Sequence, residues 1–293
     1  MTHDVTNIED LLDSEYKLFE DEYALYHVEG ESKPKNIGKP FLLHKPGSTA
    51  GVLLIHGLMA APEELRQWAE FLHSKNYSVY VIRIAGHGTS PSDLSKRVLN
   101  EWVDSVDRGY EILKKCCDNI VIGGFSAGAG LALYHAIKKP GCYDAVISIS
   151  APLQYKSSAF NYSELVNFWN ILMRKLKLSF LCRDFVKNRP DNPEINYLKC
   201  PISSVVQLRK LMTRVYENLP EIKIPTIIMQ ATHDPILDKK NSKILYNRMN
   251  SGNTFFQEID SFRHGIVRGD KGKIVFDEVG KFLNLVYLKK RSG

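Results

Sequence analysis

The sequence predicts an α/β protein with a mostly parallel central sheet flanked by helices. Three observations carry that reading. Short β-branched runs alternate with helical patterns along most of the chain, and that order places helices on both faces of a parallel sheet. One of those runs, residues 120–122, leads through Gly124-Phe125-Ser126-Ala127-Gly128 into a small-residue helix. The 293 residues are 44% hydrophobic and 25% charged, which suits a chain that buries a full core rather than a disordered one.

In chain order, residues 1–39 form an acidic N-terminal extension. Residues 7–22 carry Ile8, Leu11, Leu12, Tyr16 and Phe19 at helical spacing, an apolar stripe suited to packing on the rest of the chain. Residues 22–28 and 40–45 read as edge strands around a Lys/Pro/Gly loop. The first confident strand, 52–55, ends in His56-Gly57-Leu58. Pro62-Glu63-Glu64 then opens a helix to about residue 74, with proline early and acids in the first turn. Further strands are expected at 79–84, 144–150, 226–231 and 254–259, with helices at 100–116, from 127, and at 273–288. Between Pro152 and Pro225 the alternation stops. Helical patterns occur there with no strand among them, and residues 163–181 are too apolar for a freely exposed helix. That insertion follows a strand end, on the side where open α/β sheets bind ligands, so residues 152–225 read as a helical cap on a core of 40–151 and 226–293.

Charge is unevenly spread. Residues 1–31 hold ten acids and one base, a net −9, which leaves +15 for the remainder of a chain of net +6. The simplest use of such faces is solvation, and a basic body shielded by an acidic arm is the sharper alternative. No run reaches the 18 apolar residues of a membrane span, and the start shows no signal-peptide pattern. The five cysteines have no metal-site spacing and read as reduced thiols, which points to the cytoplasm. Nucleic-acid binding has only the charge surplus in its favour.

The pentapeptide around Ser126 is a strand-to-helix turn that lifts one hydroxyl clear of the backbone. A serine in that position needs a base, and the base needs an orienting acid, both from loops after later strands. Strand 226–231 leads to Asp234, and strand 254–259 leads to His264. His233, His87 and His56 are weaker candidates for the base, and Asp238 and Asp260 for the acid. The backbone N–H groups of Leu58 and Ala127 are the candidate oxyanion donors. Gly57, His87 and Trp169 are the candidate substrate contacts.

Taken together, His56-Gly57-Leu58 with Pro62-Glu63, Gly86-His87-Gly88, the Ser126 pentapeptide and the Asp234 and His264 loops resemble the α/β-hydrolase superfamily. More closely, residues 40–290 look like the carboxylesterase and monoacylglycerol-lipase group of serine hydrolases. The resemblance implies a Ser126–His264–Asp234 triad, the Leu58 and Ala127 oxyanion hole, a cap shaping the acyl pocket, and no metal or organic cofactor. The substrate expected is a small-molecule or lipid ester, and the apolar cap helix favours a medium or long acyl chain, as in a monoacylglycerol or lysophospholipid, with at most peripheral membrane contact. A thioesterase, acyltransferase or peptidase on the same triad, or a non-catalytic ligand-binding relative, stays open at this point. Ala127 stands where relatives often carry a large apolar residue.

Overall fold

The strand and helix patterns assemble around a seven-stranded sheet in a computed structural model that describes residues 5–48, 50–156, 162–249 and 252–292. Asp4 of the acidic extension and residues 157–161 of the expected cap lie outside the described residues. The sheet order is β1 (Phe41–Leu43), β3 (Ser78–Val81), β2 (Gly51–Ile55), β4 (Ile120–Phe125), β5 (Ala145–Ile149), β8 (Thr226–Ala231) and β9 (Thr254–Ile259). β1 runs antiparallel to β3, and every other neighbouring pair in this sheet is parallel. The sheet is therefore mostly parallel, as the alternation required.

Side chains alternate across the pleat and so feed two cores. Leu53 and Ile55 of β2 point to one face, where they join Trp102, Leu131 and Leu211. Val52 and Leu54 point to the other, against Trp68, Phe276 and Val279. The first face is covered by α5 (Leu99–Lys114) and α6 (Ala127–Lys138), the second by α3 (Arg66–Ser74) and α10 (Gly269–Ser292). α3 is preceded by a single 3₁₀ turn at Pro62–Leu65. Short helices α2 (Lys35–Gly38) and α4 (Pro91–Leu94) and the helix α9 (Asn241–Met249) fill the connections. Among the described residues, no helix is long and apolar enough to cross a membrane.

Three expectations need correcting. Residues 22–26 are not an edge strand but the last turn and more of α1 (Val5–Tyr26). Nothing between residues 7 and 26 breaks a helix, and continuing it carries Glu22 to Arg83 and Arg97. Second, the segment between Pro152 and Pro225 does contain strands: β6 (Phe185–Lys187) and β7 (Lys199–Pro201) form an antiparallel hairpin. Each is three residues long, too short to show a period. Third, the apolar helix α7 (Ser163–Lys175) ends six residues before the expected 181, and Lys177 adopts a positive φ of 60° just beyond it. α8 (Ile202–Asn218) packs on α6 and sends Leu208, Leu211, Met212 and Val215 into the first core.

The acidic extension is held by its stripe and by its charges. Phe19 is fully buried and Ile8 nearly so. Glu15 pairs with Arg108, Glu20 with Lys35, and Glu22 with both Arg83 and Arg97. Arg83 also stacks over the Phe19 ring, 5.3 Å from its centroid. The −9 of the arm thus meets part of the body's positive charge directly.

Candidate active site

β4 runs straight into the turn at Ser126, and α6 starts at the next residue. Ser126 has φ 53° and ψ −118°, a conformation that residues with a Cβ rarely adopt and that costs on the order of 1–3 kcal/mol. The flanking glycines make it possible. A Cβ on Gly128 would overlap the Ile55 and His56 carbonyls, and one on Gly124 would overlap the Gly128 backbone. The Ser126 N–H is tied to the Ile149 carbonyl at 2.8 Å, which anchors the turn to β5.

The expected partners converge on this serine from two later loops. His264 Nε2 lies 3.1 Å from Ser126 Oγ, and His264 Nδ1 lies 2.7 Å from Asp234 Oδ2. Asp234 follows β8 and His264 follows β9, so parallel strands deliver both to the same sheet end. The Asp234 side chain is buried, while that of His264 is 12% exposed. Burial pushes the Asp234 carboxyl up. The His264 hydrogen bond and charge, with the N–H groups of Leu237 and Ile236, more than offset this and hold it below its ordinary value. Those two N–H groups donate to Asp234 Oδ1 at 3.0 and 2.8 Å, leaving Oδ2 for the imidazole. The Phe125 ring, 5.0 Å from the His264 ring, backs the base.

Ser126 and His264 open on a cavity of about 420 Å³. Its apolar lining comes from Leu58, Met59, Phe125, Tyr155, Leu208 and Ile236. Its polar lining comes from Asn188, Arg189, Asp191, Asn192 and Asn196, supplied by the loop that the β6–β7 hairpin closes, and from Glu64 in the turn after β2. Asp191 also accepts from the Gly265 N–H at 3.3 Å, so this loop touches the residue after His264. A second hollow of about 470 Å³ shares Tyr155 but is lined by neither Ser126 nor His264.

Gly57 and Leu58 line the cavity as expected, and Ala127 opens α6 directly after Ser126. Met59 has φ 65° and its carbonyl accepts from Tyr197 N–H at 2.8 Å, which pins the loop beyond Leu58. The other expected contacts stand elsewhere. His87 is fully buried behind the site, 5.0 Å ring to ring from His56, and does not line the cavity. It is pushed well below its ordinary value by burial and then by His56. Trp169 sits on the outer face of α7, half exposed, with its Nε1–H aimed at the Leu181 carbonyl. An apolar helix after a strand end gave no sign of which face looks inward. Among the rival acids and bases, His233 stacks on Phe262, Asp260 is exposed, and Asp238 accepts from Lys240 N–H.

Sequence reasoning missed Glu64. It read only as an acid in a helix's first turn, but it is 4% exposed and accepts from the Gly57 N–H at 2.7 Å. Burial pushes its carboxyl up to about 7, against the opposing pull of Gly57 N–H, His264, Arg268 and Asn196. His56, in the same loop, is pushed down to about 4 by burial; its bond to the Gly57 carbonyl works the other way. A glutamate two residues after a proline-started turn carries no signal of burial. The polar loop 188–196 was equally silent, because loop residues without a period declare no partner.

Comparison with known proteins agrees with this geometry. Residues 47–271 match the family described as serine aminopeptidase, S33. The chain is 30% identical over 204 residues to a thermostable monoacylglycerol lipase of Bacillus sp. (strain H-257), covering 69% of this chain and 77% of that one. It is 24% identical over 252 residues to a carboxylesterase of Bacillus subtilis (strain 168), covering 84% and 96%. Its fold superposes on a crystal structure of Paleococcus ferrophilus monoacylglycerol lipase with a TM-score of 0.70 at 17% identity, covering 85% of this chain and 98% of that one. The chain belongs to the serine aminopeptidase S33 family of α/β-hydrolases.

Proposed function

We propose that this protein hydrolyses carboxylic esters through an acyl-enzyme on Ser126, with acyl esters of small polyols, monoacylglycerols above all, as its substrates. The observation that carries the reading is the hydrogen-bonded run Ser126–His264–Asp234 opening on a cavity lined by both apolar and polar side chains. Relatives named monoacylglycerol lipase and carboxylesterase support it.

In this reading His264 Nε2 takes the Ser126 proton as Oγ attacks the ester carbonyl. Asp234 stays ionised, holds the proton on Nδ1 and stabilises the imidazolium. The oxyanion rests on the N–H groups of Leu58 and Ala127, the second of which starts α6 and gains from that helix's positive end. The imidazolium hands its proton to the leaving alcohol, and water then clears the acyl group by the same steps in reverse. The apolar lining of Leu58, Phe125, Leu208 and Ile236 takes the acyl chain, and the asparagines of the 188–196 loop take the hydroxyls of the alcohol. Residues 152–225 act as the cap, on the core of 40–151 and 226–293, with 1–39 as a docked extension. Phe168 and Phe180 on the outer side of the cap are 63% and 80% exposed, beside Arg174, Lys175 and Lys177, and give a face for peripheral contact with a lipid surface. None of the five cysteines is in a disulfide, which fits a reducing compartment such as the cytoplasm.

The test is hydrolysis of p-nitrophenyl esters from acetate to palmitate, with Ser126→Ala protein as the blank. The expected result is a maximum at medium or long chains and a loss of about 10³-fold or more in the variant. Activity in Ser126→Ala close to that of the wild type would remove the assignment.

A further inference from the structure

Glu64 is a buried carboxyl in the cavity wall that the scheme above leaves idle. Its Oε2 is 2.7 Å from the Gly57 nitrogen, inside a wall that also holds Ser126 and His264. Gly57 itself approaches the nucleophile closely: a Cβ built there would stand 3.1 Å from Glu64 Oε2 and 3.5 Å from the Ser126 Cβ. Glu64 therefore sits one peptide away from the Leu58 N–H. It is held in turn by the 3₁₀ turn that contains it, whose Glu63 carbonyl accepts from Arg268 at 2.8 Å. Arg268 follows His264 by four residues, so the turn bearing Glu64 and the loop bearing the base are strapped together.

The groups that weigh on Glu64 belong to the site or its border: the Gly57 N–H from the loop after β2, His264 and Arg268 from the loop after β9, and Asn196 from the cap loop. His264 is also the partner of Asp234. A buried carboxyl among apolar side chains is ordinarily excluded in favour of a neutral residue unless its hydrogen bonds are used.

We propose that Glu64 is a positioning residue that fixes the His56–Gly57 peptide and, through it, the loop that carries the Leu58 donor for the oxyanion. The inference rests on the ester-hydrolase reading and deepens it. The carboxyl oxygen holds the plane of the His56–Gly57 peptide by its bond to the Gly57 N–H, and a glycine just before the donor would otherwise let the loop turn.

The experiment compares wild type, Glu64→Gln and Glu64→Ala on a p-nitrophenyl ester between pH 5 and 9, with active sites counted by fluorophosphonate labelling. Glutamine keeps an acceptor of the same reach for the Gly57 N–H, and alanine removes it. Per labelled site, Glu64→Ala is expected to lose about tenfold to a hundredfold in kcat with KM within about threefold. Glu64→Gln is expected to restore most of that kcat. A purely structural role would lower the labelled fraction and leave kcat per site unchanged. A kcat per site in Glu64→Ala within about twofold of wild type would overturn the positioning. A kcat per site in Glu64→Gln as low as that in Glu64→Ala would overturn the role of the acceptor. If the alanine variant does not fold, Glu64→Met, of similar length and without a carboxyl or amide acceptor, takes its place in the comparison. A wild-type protein that neither labels nor hydrolyses esters would instead overturn the ester-hydrolase reading.

Discussion

The same carboxyl makes a prediction about stability that needs no substrate. Glu64 ionises at about 7 in the folded protein against an ordinary value of 4.5, and burial is the main cause. The folded state therefore keeps its proton to higher pH than the unfolded chain. Below pH 4.5 both states are protonated and there is no penalty. Between pH 4.5 and 7 stability falls as pH rises, and above 7 the full penalty is present. The displacement corresponds to about 3 kcal/mol, of which about 2.5 kcal/mol develops between pH 5 and pH 8.5. For 293 residues, an unfolding entropy of about 2.1 cal/mol/K per residue converts that into about 4 °C in Tm. Wild type alone does not reveal it. His56, held near 4 when folded, gains stability as pH rises from about 4 to 6.5 and masks the fall. The difference between Glu64→Gln and wild type cancels the His56 contribution, because that residue is common to both. Differential scanning calorimetry at half-unit steps should give a difference in Tm that grows in favour of the variant by about 4 °C from pH 5 to 8.5. A difference that stays flat or shrinks with pH would refute the reasoning, since it would mean that Glu64 is solvated or already ionised at pH 5.

Further outcomes follow from other contacts. Asp234→Asn should keep the fold and lower kcat by about 10⁴ at neutral pH, because an amide cannot hold the imidazole tautomer or offset its charge; steady-state kinetics on the best ester checks this. Gly128→Ala should lower stability by more than about 3 kcal/mol in urea titration, since its Cβ would overlap the Ile55 and His56 carbonyls and backbone cannot yield as a side chain can. Glu22→Gln removes the charge that Arg83 and Arg97 share, with Arg83 only 4% exposed, and should lower stability by about 2–3 kcal/mol in the same titration. Phe168→Ser with Phe180→Ser should leave the rate on dissolved p-nitrophenyl butyrate within about twofold and weaken sedimentation with anionic vesicles several-fold.

What could be read in advance follows from which signals have a period. The runs at 52–55 and 226–231 are buried on both faces, so they stand out as apolar blocks, and the structure shows strands there with nearly the same ends. Once the strands were placed, Asp234 and His264 were fixed as well, because a parallel sheet brings successive loop ends to one edge. β6 and β7 had no such signal. Three residues each, with Pro201 closing one of them, they are defined by each other and by the loop between them. Residues 22–26 misled for a different reason. Tyr23, Tyr26 and Val28 suit a strand by local propensity, but the helix that runs to Tyr26 is stabilised from outside, by Arg83 and Arg97 acting on Glu22. Tertiary charge pairing of that kind leaves no local pattern.

The acidic extension and the active-site loop turn out to be connected through the same arginine. Arg83 accepts the charge of Glu22 on one side and donates to the His87 carbonyl at 3.2 Å on the other. His87 stacks on His56, which accepts from the Ile84 N–H at 3.2 Å and bonds to the Gly57 carbonyl at 2.9 Å. Gly57 is the residue that Glu64 holds from the opposite side. Gly57 is thus gripped on both of its peptides, at its carbonyl by a neutral buried histidine and at its nitrogen by a buried carboxyl. A neutral His56 matters here, because a charged ring would repel Arg83, and burial with the Arg83 charge keeps it neutral above about pH 4. The histidine in His56-Gly57-Leu58 therefore serves as a strut for the loop that carries Leu58, the proposed oxyanion donor. That accounts for a buried imidazole near the proposed base His264 without assigning it any proton transfer.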